Sequence, residues 1–294
     1  MMKSNRLTVL IFILVVIVGG SNAVAVRFSN AGLPPFWGAA LRFALAGLIF
    51  WVIVFARRIP LPKGEELKGA VVYGLFTVGI FYALVYWGFV EIEASLGIVI
   101  LTLSPLFTFF FAVLHRQEAF RWQGLLGALI AFAGIVVGLG TDIGESIPLL
   151  PFLAVVAAAA VTAEGQVLYK QYPPSNPFVV NAIGMSIAPP LLLLLSVVFG
   201  EARSLPTDMA TWSALAYLTI FGTAILFYLY LYVLDRWTAS ATTYSFLLFP
   251  VSTVFLASWL LDEQLSSRFL LGGVIVLVGV WLGAFFHPRP SASE

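Results

Sequence analysis

The chain has 294 residues, of which 61% are hydrophobic and 10% are charged, and its mean hydropathy is +1.02. Because soluble domains carry about 25% charged residues, these values exclude a water-soluble globule and predict an all-α integral membrane protein embedded in a lipid bilayer. The net charge of +1, without a run of Lys and Arg, excludes a nucleic-acid partner.

Ten apolar stretches of about 20 residues follow one another along the chain, each long enough to cross a membrane. They are predicted at residues 7 to 26, 36 to 56, 69 to 90, 95 to 114, 122 to 140, 149 to 169, 177 to 199, 210 to 233, 239 to 261 and 269 to 286. The connections are short and leave no room for a separate domain. The third and eighth stretches are rich in Tyr, Thr and Gly, which suits the lining of a cavity better than contact with lipid.

The first stretch has a competing interpretation. Lys3 and Arg6 precede an apolar run that ends near Ala23, and this pattern resembles a secretory signal with a small-residue cleavage site. We expect an uncleaved helix, because the apolar character continues to Val26 and because the repeat described below requires this segment.

Basic residues in the short loops predict the orientation, since positive loops stay cytoplasmic. With the N-terminus inside, eleven basic residues lie inside and three lie outside. The inside set is Lys3, Arg6, Arg57, Arg58, Lys63, Lys68, Arg116, Arg121, Lys170, Arg236 and Arg289, and the outside set is Arg27, Arg203 and Arg268. The sequence therefore predicts a multi-pass protein of the cell (inner) membrane with both termini cytoplasmic.

The second half of the chain repeats the first. Residues 94 to 140 match residues 239 to 285 without a gap, at a constant offset of 145. The matched residues include Pro105 with Pro250, Glu118 with Glu263, Gly127 with Gly272, Gly134 with Gly279, and Gly138 with Gly283. Each half carries five spans. Because five is an odd number, the second half enters the membrane from the opposite side and has the opposite orientation. We therefore predict two inverted five-helix repeats, residues 1 to 145 and 146 to 294. This arrangement is typical of transporters, although a channel can also have it.

The first helix ends in Gly19-Gly20-Ser21-Asn22, and Pro34-Pro35 and Leu41-Arg42-Phe43 follow. With the Pro, Glu and Gly pattern of both halves, these residues make the chain similar to the EamA-type transporters of the drug/metabolite transporter superfamily, although the usual Trp before the first glycine is absent. The resemblance covers nearly the whole chain. It implies an exporter or permease of small organic metabolites, such as amino acids, drugs or nucleotide sugars. The aromatic-rich third and eighth spans resemble the branch that exports aromatic amino acids.

Two ionisable residues, Arg42 and Glu164, lie inside predicted spans, where a charge normally faces a partner or a wet cavity. Arg42 is either a counter-charge for a substrate carboxylate or a packing anchor bonded to backbone carbonyls. Glu164 either couples proton entry to export, or is a carboxylate that lies at a water-filled inner mouth or pairs with the nearby Lys170. The two residues lie at different depths, so we do not expect a direct salt bridge between them.

Several polar and aromatic residues are candidates for substrate binding. Ser21 and Asn22 follow two glycines, which permit either close helix packing or exposed backbone groups, so their side chains either bind a ligand or bond a neighbouring helix. Thr77 and Tyr82 share one face of the third span, and Tyr228 lies in the eighth. Tyrosines there suit a pocket for flat, partly polar substrates, whereas those near span ends are equally consistent with an interfacial belt.

Pro105 and Pro250 stand near the centres of the fourth and ninth spans. Each lacks a backbone donor and allows its helix to bend, so both are candidate hinges. Tyr244 and Ser245 lie near the second of these prolines and are further candidates for substrate binding.

Other classes of activity find little support. The chain has no cysteine and only two histidines, which excludes a thiolate site and argues against a metal site. It also has no phosphate-binding loop and no catalytic motif, so we expect no cofactor and no enzymatic activity. The sequence predicts a carrier that works by alternating access and is driven by protons or by the substrate gradient. The alternatives are a channel and an exporter of drugs or other metabolites.

Overall fold

The computed structural model describes residues 6–139, 148–261 and 266–285, and these residues form helices and connections without a strand. The helices are α1 (Arg6–Gly32), α2 (Pro35–Ala56), α3 (Glu65–Gly88), α4 (Ala94–Leu114), α5 (Trp122–Leu139), α6 (Leu149–Tyr169), α7 (Pro177–Val198), α8 (Met209–Leu234), α9 (Ala239–Leu260) and α10 (Ser267–Phe285). They confirm the all-α class. Lys3, Glu263 and Arg289 lie outside the described residues.

Eight of these helices are long and apolar enough to cross a membrane. In α5 and α10 the apolar stretches that qualify are shorter, Trp122–Gly138 and Leu270–Gly279. Large apolar side chains point outward along the helices, and Phe55 and Phe255, for example, are 67% and 71% exposed. Such an apolar outer surface suits contact with lipid and not with water. The count of ten spans and the cytoplasmic termini stay predictions.

The helix α1 extends beyond the predicted end of the first span. The prediction ended at Val26 because Arg27 is charged, but the helix continues to Gly32. The Arg27 guanidinium donates to the carbonyl oxygens of Phe89 and Ile92, which follow the end of α3, at 3.2 and 3.3 Å. These bonds satisfy the Arg27 charge within the protein, so the charge does not end α1.

Polar side chains cap the N-termini of α2, α7 and α8. Pro35 opens α2, and the Glu201 carboxylate from the loop after α7 accepts from the backbone N–H groups of Phe36 and Trp37, at 3.0 and 2.8 Å. The Asn176 side chain caps α7 and Asp208 caps α8 in the same way. The bond from Glu201 also ties the start of α2 to the second half.

The third helices of the two halves are irregular at corresponding positions, and the fourth helices are each divided into two segments. A π-helical stretch interrupts α3 at Gly74–Ile80 and α8 at Ile220–Ile225. The fourth helices, α4 and α9, each consist of two segments, which meet at Thr102 and Leu103 in α4 and at Tyr244 in α9. Pro105 therefore directly follows a break, whereas Pro250 lies inside the longer segment of α9.

The two halves exchange their first helices. In the first half, α1 packs against α8 and α9 of the second half, and α6 packs against α3 and α4 of the first. The helices α2 and α7 pair with each other, and so do α5 and α10. Each contact therefore has a counterpart in the other half, as two equivalent halves would give.

The two ends of α8 carry aspartates in opposite environments. Asp208 accepts from the backbone N–H and the hydroxyl of Thr211, and these bonds lower the pKa of its carboxyl. Burial raises the pKa of Asp235 at the C-terminal end, where helix carbonyls disfavour a negative charge. Lys170 donates to the carbonyl oxygen of Leu234 beside it, at 2.7 Å, and burial lowers the pKa of Lys170.

We therefore expect opposite pH effects from the two aspartates. Asp208 holds fewer protons in the folded state than in the unfolded state, so the stability it adds is lost as the pH falls through its lowered pKa. Asp235 holds more protons in the folded state, so stability is lost as the pH rises through its raised pKa. Melting temperatures are measured between about pH 2 and 7. Relative to Asp208→Asn, the melting temperature of the wild type should fall below about pH 4, and relative to Asp235→Asn it should fall above about pH 4. Parallel profiles of the two variants would contradict this.

Candidate functional site

A cavity of about 700 Å³, including its mouth, lies between the two halves. Its walls come from α1, α3 and α4 of the first half and from the corresponding helices α6, α8 and α9 of the second. The lining residues are Gly19, Asn22, Ala23, Val26, Tyr73, Thr77, Phe81, Tyr82, Val85, Phe89, Ile98, Leu101, Thr162, Gln166, Leu226, Phe227, Tyr230, Phe246 and Phe249. The irregular helices α3, α4, α8 and α9 thus all reach this cavity.

Aromatic rings form much of the wall. The Tyr82 ring lies 4.7 Å from that of Phe81 and 5.8 Å from that of Phe227, measured between centroids. Phe246 extends the cluster from α9, with its ring 6.4 Å from Phe81 and 6.3 Å from Tyr230. Such a wall can stack on a flat apolar group of a ligand.

Arg42 lies behind this wall and is fully buried. Its guanidinium donates to Thr223 Oγ1 at 2.6 Å, to the Gly222 carbonyl oxygen at 2.8 Å and to the Tyr86 hydroxyl at 3.2 Å. Its Cζ also lies 5.0 Å from the Tyr82 ring centroid. Arg42 therefore ties α2 to α3 and α8, and the Tyr82 ring stands between its charge and the cavity.

The π-helical stretch of α8 supplies two of the three acceptors that Arg42 binds, Thr223 Oγ1 and the Gly222 carbonyl oxygen. Thr223 Oγ1 donates to the carbonyl oxygen of Leu218, five residues earlier. The Gly222 carbonyl oxygen accepts from Asn22 Nδ2 at 3.0 Å as well as from Arg42. In a regular α-helix the Gly222 carbonyl would accept a backbone bond within the helix. The π-helical stretch leaves this carbonyl available to the Asn22 and Arg42 side chains.

The two glycines of α1 allow close packing against α9. A Cβ on Gly19 would overlap the Phe249 ring, and one on Gly20 would overlap the Ser252 side chain. Thr253 Oγ1 donates to the carbonyl oxygen of Gly20 at 2.6 Å. Of the two interpretations of these glycines, the structure favours helix packing, which also brings Asn22 to the cavity.

Glu164 pairs with His115 at the end of α4, with 2.8 Å between Oε1 and Nε2. Gln171 Nε2 lies 3.1 Å from His115 Nδ1, so with the neutral imidazole the amide donates to Nδ1 and Nε2–H donates to Glu164. The suggested pairing with Lys170 is wrong, because the Lys170 ammonium turns to α8. His115 therefore belongs to a hydrogen-bonded pair with Glu164.

The structure separates the predicted binding residues into two groups. Asn22, Thr77 and Tyr82 line the cavity. The others lie away from it: Ser21 bonds Tyr217 and the Val18 carbonyl, Tyr228 stacks on Phe178 with 4.4 Å between centroids, Ser245 donates to the Thr242 carbonyl, and Tyr244 forms the break in α9. Gln166 and Thr162, which also line the cavity, were missed, although an amide inside an apolar span is itself a signal of a polar site.

A family model, the EamA-like transporter family, matches the chain twice, at residues 6–139 and 146–284. A protein of Escherichia coli named "Probable amino-acid metabolite efflux pump" is 26% identical over 93% of this chain and 93% of its own length. An "Uncharacterized inner membrane transporter YedA" of Escherichia coli is 27% identical over 92% of this chain and 90% of its own.

A transporter of Archaeoglobus fulgidus is 28% identical over 93% of this chain and 97% of its own. A solved crystal structure with 21% sequence identity has the same fold, with a TM-score of 0.72, and the match covers 96% of this chain and 97% of that one. The apolar helices and these relatives make the protein a multi-pass protein of the cell (inner) membrane. Because the two family matches together span nearly all of its length, the chain belongs to the EamA-like transporter family.

Proposed function

We propose that this transporter exports small amphipathic metabolites, aromatic or other apolar amino acids and similar compounds, through the cavity between its two halves. The observation that carries the proposal is the aromatic wall, with Tyr82 between Phe81 and Phe227, in a cavity that equivalent helices of both halves line. The name of the Escherichia coli relative, an amino-acid metabolite efflux pump, supports both the direction and the class of substrate.

We propose alternating access as the mechanism. The breaks in α4 and α9 and the nearby Pro105 and Pro250 lie on corresponding helices of the two halves, and both helices line the cavity. Bending at one break would close the cavity toward one side while bending at the other would open it toward the opposite side. Transport is then cyclic, and the flux saturates with substrate.

The rival proposal is a channel-like pore, which gives flux that does not saturate and that counter-substrate does not stimulate. Purified protein in liposomes, supplied with labelled tryptophan, threonine or a cationic dye, distinguishes the two. We expect saturable tryptophan flux that unlabelled tryptophan on the opposite side accelerates. Linear, unstimulated flux would contradict the carrier, and preference for the dye would favour a drug exporter.

Glu164 is our candidate for coupling export to protons, since its carboxylate and His115 form a pair between α4, which contains a break, and α6. We expect Glu164→Gln to flatten the pH dependence of flux in liposomes, because the glutamine amide carries no exchangeable acid proton. Glu65→Gln, which removes an exposed pairing with Lys68, is the control. An unchanged pH profile in Glu164→Gln would make facilitated diffusion the remaining mechanism.

A further inference from the structure

Five polar side chains gather on one part of the cavity wall and are called here the polar subsite: Tyr73, Thr77, Thr162, Gln166 and Tyr230. The Tyr230 hydroxyl donates to Gln166 Oε1 at 2.7 Å, and Gln166 Nε2 donates to Thr162 Oγ1 at 3.3 Å. These two bonds hold the Gln166 amide in one orientation. The polar subsite is therefore fixed on the side of α6 and α8.

Two hydroxyls of the polar subsite are buried without a partner. The side chains of Tyr73 and Thr77 are 0% and 6% exposed, and within the described residues neither hydroxyl makes a hydrogen bond. Other buried threonines in these helices, such as Thr108 and Thr219, donate to a carbonyl four residues earlier. Because a buried hydroxyl without a partner is costly, a ligand in the cavity is the natural acceptor for both.

The packing of α3 on α6 brings these hydroxyls beside Gln166. A Cβ on Gly165 would lie 2.8 Å from Thr77 Oγ1 and 2.5 Å from the Phe76 side chain, so only glycine lets the two helices meet here. Thr77 therefore contacts α6 at the residue next to Gln166. Tyr73 lies four residues before Thr77 and lines the same cavity.

The described wall of the cavity carries no formal charge. Among its described lining residues there is no Asp, Glu, Lys, Arg or His. The charge directly behind its aromatic part is the Arg42 guanidinium, 5.0 Å from the Tyr82 ring centroid, and its three hydrogen-bond partners are neutral. A ligand stacked on this aromatic part therefore lies near a positive charge, and the described lining offers no carboxylate to receive a cation.

We propose that the polar subsite binds a hydrogen-bond-accepting oxygen, a carbonyl or a carboxylate, of an aromatic substrate, and that the cavity excludes substrates whose polar group is a cationic amine. The proposal rests on the proposed function and narrows its substrate class. An amino acid places its carboxylate oxygen on Tyr73 and Thr77, whereas its ammonium group finds no acid on the wall. An aromatic acid or amide without an amine fits better still.

Four ligands with one phenyl ring test the charge preference: N-acetylphenylalaninamide (neutral), N-acetylphenylalanine (anionic), phenylalanine (zwitterionic) and 2-phenylethylamine (cationic). Equilibrium dialysis of the purified full-length protein in detergent measures their affinities. We expect 2-phenylethylamine to bind at least about tenfold more weakly than the neutral amide, which is the effect of a like charge roughly 10 Å away at an effective dielectric constant near 20. Equal or tighter binding of 2-phenylethylamine would overturn the proposal.

Substitutions test the two hydroxyls. We expect Thr77→Val and Tyr73→Phe each to weaken binding of N-acetylphenylalaninamide about five- to tenfold, and Thr77→Ser, which keeps the hydroxyl, to remain within about twofold of wild type. Thr108→Val, which removes a buried hydroxyl away from the cavity, is the control and should leave the affinity unchanged. Melting temperatures confirm that each variant is folded.

The result separates the polar subsite from export itself. Saturable tryptophan flux together with affinities that Thr77→Val and Tyr73→Phe leave unchanged would overturn the polar subsite only. Loss of affinity in both variants without any saturable flux would support the polar subsite and overturn export.

Discussion

Replacing Arg42 with leucine is expected to lower the free energy of unfolding by about 2–4 kcal/mol and to reduce transport at least about tenfold. The guanidinium satisfies three acceptors at once, Thr223 Oγ1, the Gly222 carbonyl and the Tyr86 hydroxyl. Leucine fills part of the volume but removes the donor to Thr223 Oγ1 and to the Tyr86 hydroxyl, and the Gly222 carbonyl keeps only the bond from Asn22. Since Arg42 joins α2 to α3 and α8, the same change loosens the wall that carries Tyr82.

Two further variants distinguish the roles of Arg42. Arg42→Lys keeps the charge, but an ammonium group cannot reproduce the planar fork, so we expect an intermediate loss. Thr223→Val removes one acceptor and should cost about 1 kcal/mol. Thermal or denaturant unfolding and liposome flux are measured on the same preparations. A stable Arg42→Leu protein without flux would make Arg42 a substrate contact, whereas unchanged stability and flux would contradict the anchor.

The second large effect is expected where α5 meets α10. A Cβ on Gly272 would lie 2.5 Å from the Gly134 carbonyl oxygen and 2.5 Å from the Gly138 Cα. Both are backbone atoms, so Gly272→Ala can be accommodated only if the helices move apart. We expect a loss of about 1–3 kcal/mol in the free energy of unfolding, which is typical of an overpacked contact. Unfolding of the purified protein measures this loss.

The neighbouring glycine provides a matched control. A Cβ on Gly273 would find nothing within 4 Å. Gly273→Ala should therefore leave stability unchanged or raise it by up to about 1 kcal/mol, because alanine favours a helix over glycine. Equal losses in the two variants would mean that α5 and α10 do not approach as closely as described.

The sequence alone located the helices well because crossing a membrane requires long apolar runs, and these are visible without knowledge of contacts. It could not show the π-helical stretches in α3 and α8, which do not alter hydropathy. Their effect is clearest at Tyr228. Each extra residue in a turn rotates the remainder of the helix by about 100°, so an α-helical face cannot be carried through Ile220–Ile225. Tyr228 accordingly stacks on Phe178 instead of lining the cavity.

Part of the candidate site was predictable within the third span. Thr77 and Tyr82 were both predicted to line a site there, and the structure puts both on the cavity wall, although the π-helical stretch Gly74–Ile80 changes the helical periodicity between them. The partners of His115 and Arg42 were not predictable, because they come from distant parts of the chain. His115 bonds a carboxylate 49 residues away, and Arg42 bonds a carbonyl 180 residues away. Hydropathy and spacing carry no information about such pairs.

The exchange of first helices between the halves has a consequence for biosynthesis. Asn22 in α1 bonds the carbonyl of Gly222, which is 200 residues later in the chain. At about 5–20 residues per second, the ribosome needs roughly 10–40 s to add these residues. For that time the amide of Asn22 is in the bilayer or its insertion machinery without its final partner. The mature arrangement is therefore completed only after the second half has entered the membrane, and a nascent first half needs protection until then.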